Sequence, residues 1–100
     1  MNSKERVLRA FHRETSDRVP VNYMANPGID RKLKDHFGLA AGDDEGLRLA
    51  LGVDFRCVDP VYAGPRLHSD IPERGVITDL WGNRMRWIEH GAGGYWDFCE

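Results

Sequence analysis

The side chains able to do chemistry are few and widely spaced. Asp59 closes an alternating run, Val53-Asp54-Phe55-Arg56-Cys57-Val58-Asp59, and Pro60 follows it. A carboxylate at the end of a strand can orient or stabilise a charged group, and the same position also suits a loop-capping aspartate. Asn26 ends an earlier run and could reach a ligand there, yet Asn26-Pro27 also has the form of a helix start. Tyr23 and Asn22 lie on that earlier run, and alternation turns one of them inward. The four histidines, His12, His36, His68 and His90, have no i, i+4 or His-x-Cys spacing, so no zinc site is expected among these residues. Cys57 and Cys99 form no Cys-x-x-Cys pair and read as reduced thiols. Gly91 to Gly94 is followed by no Lys-Ser/Thr, which favours a connector or an active-site loop over a phosphate cradle. Trp81, Trp87, Tyr95 and Trp96 could stack a ligand, but such residues more often pack a small sheet. Arg84 and Arg86 could bind an anion, or pair with Trp81 and Asp79.

These residues need elements to hold them. Asn2 with Glu5 forms a capping box for a leading helix over 2–14, with Val7, Leu8, Ala10 and Phe11 as its apolar stripe. A short strand is expected over 18–24, at a rim or beside incomplete pairing because Pro20 lacks an N–H. Ile29, Leu33 and Phe37 predict a helix over 27–37, stopped by Gly38. Asp43-Asp44-Glu45 opens a helix over 43–51, which Gly52 ends. A second strand is expected over 53–59, and a loop carrying Gly64-Pro65 and Pro72 follows it. Residues 76–89 read as a hairpin around a two-residue Gly82-Asn83 turn. That register sets Asp79 against Arg86, Trp81 against Arg84 and Ile77 against Ile88 on one face; Leu80–Met85 and Thr78–Trp87 share the other. Strands separated by helices imply an α/β fold with parallel pairing, and two such strands cannot form a covered sheet alone.

Bulk properties exclude several classes. A net charge of -2 without clustered Lys and Arg argues against nucleic acid as a partner. No run approaches the ~20 apolar residues that cross a bilayer, and the N-terminus has no apolar signal core. A cytoplasmic location follows as the expectation.

The run Lys4-Glu5-Arg6-Val7-Leu8-Arg9-Ala10-Phe11, then Asp17-Arg18-Val19-Pro20-Val21, resembles the opening of uroporphyrinogen decarboxylase-superfamily proteins. Leu51-Gly52-Val53-Asp54-Phe55 and Asp79-Leu80-Trp81-Gly82 extend the likeness. It is nearest in look to the decarboxylase-like group beside the corrinoid-dependent methyltransferases. The resemblance implies the N-terminal part of a (β/α)8 barrel with a β-hairpin insertion, and barrels of this kind take about 250 residues. The barrel would therefore be incomplete within this chain. It implies a parent enzyme acting by methyl transfer, or alternatively a carboxy-lyase acting on a tetrapyrrole or related acid. A further alternative is a non-catalytic truncated module that binds a partner through the hairpin and aromatic tail.

By this resemblance Asp59 takes the place of the family's catalytic aspartate, although Val58 replaces the serine of its Ser-Asp pair. Asn26 and Tyr23 become substrate-binding candidates. The family's arginine-rich loop after the first strand becomes Met24-Ala25-Asn26-Pro27-Gly28-Ile29; Met24 and Gly28 match, and both arginines are gone. Zinc and a corrinoid would belong to the full-length enzyme, with the metal ligands in later strands. Its partners would be a small-molecule substrate or a corrinoid protein, with a homodimer plausible by family likeness.

Overall fold

The computed structural model describes residues 1–100 as three α-helices and one three-stranded antiparallel sheet. The chain divides into two units, one of residues 1–25 and 30–58, the other of residues 26–29 and 59–100.

In the first unit, α1 (Ser3–Phe11) opens on the expected capping box: the Glu5 N–H donates to Asn2 Oδ1 (2.9 Å), and the Asn2 N–H donates to Glu5 Oε2 (3.0 Å). It stops short of residue 14, where Arg13 adopts φ 59° and the Glu14 N–H donates to the Arg9 carbonyl. The face it buries is not the apolar stripe. Arg6 is buried, whereas Leu8 and Phe11 are 43% and 75% exposed. A guanidinium can go inside because carboxylates meet it there.

Helix α2 (Pro27–His36) runs nearly as expected, and its buried residue is Lys34 rather than one of the apolar three. Helix α3 (Asp44–Ala50) is opened by Asp43, whose side chain accepts the Gly46 N–H at 2.9 Å. Leu47 on α3 and Val53 just after it are the buried apolar core of this unit.

The two segments expected as strands, 18–24 and 53–59, form no ladder. Pro20 has no N–H to give. The Val21 N–H goes to the Asp54 carboxylate (2.9 Å) instead of to a backbone carbonyl. One backbone bond, from Asp54 N–H to Val21 carbonyl (2.8 Å), joins the segments. They run side by side in the same direction: Arg18 reaches the Gly52 carbonyl, Val21 meets Asp54, and residues 22–25 share a cleft with residues 55–57. Parallel alignment was expected, and the missing regular pairing is the departure.

The second unit is built on β1 (Val76–Thr78), β2 (Arg84–His90) and β3 (Gly93–Phe98), in that order. The first hairpin exists, but its register corrects the expected one. Val76 faces Arg86, Ile77 faces Met85 and Thr78 faces Arg84. The cause lies in Asp79, whose carboxylate accepts both the Trp81 and Asn83 N–H groups at 2.9 Å. This side-chain turn makes Leu80-Trp81-Gly82 a three-residue loop, closed by Asp79 N–H to Asn83 carbonyl (3.0 Å), with Gly82 at φ 87°. Trp81 consequently sits at the loop tip, 81% exposed, instead of opposite Arg84.

The glycine-rich tail corrects a second expectation. It is a turn into a strand: His90 pairs with Gly93, Ile88 with Tyr95 and Trp87 with Trp96. The two tryptophan rings meet edge to face at 5.5 Å. Gly28 lies so close to this turn that a Cβ there would stand 2.5 Å from the Ala92 carbonyl oxygen. Val76 is the buried apolar residue of this unit.

Candidate functional site

Two arrangements in the first unit bring reactive side chains together. The first is a clasp around Asp54, whose side chain is fully out of solvent. Its oxygens accept from Ser3 Oγ (2.8 Å), Arg18 (2.6 Å), the Val21 N–H (2.9 Å) and Arg6. Arg6 also forks onto Asp17, with Nε and Nη2 at 2.7 and 2.8 Å from its two oxygens. The Val21 N–H, followed by the Arg18, Ser3 and Arg6 side chains, holds the Asp54 carboxyl well below the usual range, against the opposing push of burial. Arg6 does the same for Asp17. No buried side-chain nitrogen or oxygen lacks a partner here, so the clasp is suited to holding the chain together.

The second is an open cleft of about 530 Å³, lined by Asn22, Tyr23, Met24, Ala25, Asp30, Arg48, Phe55, Arg56 and Cys57. The Tyr23 hydroxyl donates to Asp30 (2.8 Å), and Asp30 in turn holds the Lys34 ammonium (2.7 Å). Burial, and then the hydrogen bond to Asp30, raise the Tyr23 phenol above its ordinary value; Lys34 lowers the Asp30 carboxyl. Lys34 also donates to Asp44 and to the Ala41 carbonyl, and these partners explain why an ammonium is buried there. Arg56 is held by both oxygens of Glu45.

The three candidates from the sequence fare differently. Tyr23 lines this cleft. Asn26 belongs to the second unit and caps α2, accepting the Ile29 N–H at 3.0 Å. Asp59 also belongs to the second unit and is exposed. The residues that sequence reasoning passed over are Asp54, Arg48 and Arg56. Asp54 meets Arg6 and Arg18 across 48 and 36 positions, a separation at which no local pattern operates. The only signal was that Asp54, Arg6 and Arg18 each sit inside a family-like run; Arg48 and Arg56 lie outside them.

No three His, Cys, Asp or Glu side chains gather as a metal would require. No helix is long and apolar enough to cross a membrane. Comparison with family models, with curated proteins and with solved structures finds no match to this chain.

Proposed function

We propose that this chain is the opening segment of a cytoplasmic uroporphyrinogen decarboxylase-type (β/α)8 enzyme, of the branch that transfers methyl groups from a methylated corrinoid to a thiol. One observation carries the reading. The polar residues of three separate family-like runs, Arg6, Asp17 with Arg18, and Asp54, converge on one another. Motifs that recur in a fixed order gain a physical reason from this convergence: they bind the leading helix to two parallel segments, as the first strands of a barrel require. The exposed apolar stripe of α1, with Leu8 and Phe11 in the open, is also what a segment awaiting neighbouring strands would show.

On this reading the family's catalytic role falls to Asp59, substrate binding to Tyr23 and Asn26, and zinc binding to later strands. The absence of arginine at Ala25 and Ile29 counts against gripping a porphyrinogen through that loop, so methyl transfer is preferred to decarboxylation.

The intact mass of the protein from its native cell tests the first half. A chain longer by at least about 150 residues, carrying a His-x-Cys and a distant Cys, is the expected result. That protein should then demethylate methylcobalamin with a thiol acceptor, followed by the change in cobalamin absorbance, and Asp59→Asn should slow it by about a hundredfold. A native mass equal to that of these 100 residues sinks the proposal.

A further inference from the structure

Four cations of the first unit, Arg6, Arg18, Lys34 and Arg56, hold a carboxylate. Arg48 does not. It is half-buried on α3 and lines the cleft. Its charge reaches Asp30, Glu45 and Tyr23 through space, yet no hydrogen bond or ion pair ties it to them. Asp30 is already engaged by Lys34 and Tyr23, and Glu45 by Arg56. A partly desolvated guanidinium with uncommitted donors is matched by a planar anion that accepts two of them at once. The half-buried Phe55 is the apolar wall of the cleft, with the exposed Met24 and Ala25 at its rim. The cleft volume falls within the range of about 300–1,000 Å³ usual for small-molecule sites.

We infer that this cleft binds a small organic monocarboxylate, its carboxylate clasped by Arg48 and its apolar body lying against Phe55 and Met24. The two carboxylates already beside Arg48 limit the occupant to a single negative charge, since a dianion would meet Asp30 and Glu45 with only one uncommitted cation to offset it. All the residues lie within the first unit, so the site does not depend on the barrel reading.

The test is a titration with hexanoate of the 100-residue chain, kept at a concentration where gel filtration shows a monomer, followed by amide NMR shifts of residues 22–25 and 55–57. Saturable binding with a Kd of about 1 mM is expected, about tenfold tighter than for 1-hexanol or inorganic phosphate. Arg48→Gln should weaken hexanoate by about tenfold, and Arg48→Lys by less, because the lysine keeps the charge but loses the fork. Ala25→Phe fills the cleft from an exposed position while keeping Arg48, and should abolish the shifts. The inference is overturned by no saturation, by equal binding of hexanol or phosphate, or by hexanoate affinity unchanged in either Arg48→Gln or Ala25→Phe.

Discussion

Asp54 draws four groups from two other parts of the chain, residues 3–6 and 18–21, onto one carboxylate. Asp54→Asn keeps the shape but leaves Arg6 and Arg18 without that charge. Thermal melting followed by circular dichroism should show Tm falling by more than about 10 °C. The same residue sets the acid limit. Its folded-state carboxyl lies below the unfolded value, as does that of Asp17, so their stabilisation is complete above the unfolded carboxylate range and drains away as pH falls below about 4. Acid titration should therefore unfold the wild type steeply below that pH, and should unfold Asp54→Asn with a shallower pH dependence. Gly28 is a second residue whose identity is fixed by contact. Gly28→Ala would push a methyl into the Ala92 carbonyl, and a loss of about 1–3 kcal/mol should appear in denaturant melts.

Among the elements, the β1–β2 hairpin shows most clearly where sequence reasoning reached and where it stopped. The two strands were legible from their composition. The register was not, because Gly82-Asn83 resembles a two-residue turn while Asp79, three residues earlier, captures two backbone N–H groups and lengthens the loop. Gly82→Ala should cost about 1 kcal/mol in urea melts, since alanine resists φ 87°. The three helices were legible from capping residues and apolar spacing, and two of them nevertheless turn a charged residue inward. Helical periodicity says which residues share a face, but the buried face of α1 was settled by carboxylates far along the chain. The third strand was missed because its glycines were read as punctuation, when they make the turn that brings Trp96 onto Trp87. Of the candidate site, alternation offered Asn22 and Tyr23 without deciding between them, and both line the cleft; Arg48 and Arg56 carry no local pattern that marks them, and only the fold brings Arg56 to Glu45 and Arg48 to the cleft. Leu47 is the apolar residue on which α3 depends, and Leu47→Ala should cost about 2–5 kcal/mol by the same melts.

At the scale of the whole molecule the apolar core is thin. Leu47, Val53 and Val76 are the buried apolar residues, while Phe11, Val19, Met24, Val58, Val61 and Phe98 are each at least two-thirds exposed. The chain presents 7791 Å² to solvent. Two separate compact units of this combined mass would present about 6,900 Å². Surface of this kind binds hydrophobic dyes and promotes association. The 100-residue chain should enhance ANS fluorescence strongly and elute from gel filtration at a size that grows with concentration; a dye-silent, concentration-independent monomer would contradict this. The Asp54 clasp also has a consequence for how the chain is made. Translation proceeds at about 5–20 residues per second, so Arg6 emerges from the ribosome about 2–10 seconds before Asp54 does, 48 positions later. In that interval Asp17 is the carboxylate within its reach, and the Arg6–Asp17 pair can hold the leading helix against the next few residues. The clasp can close only when the second parallel segment emerges, after more than half of these residues have been synthesised.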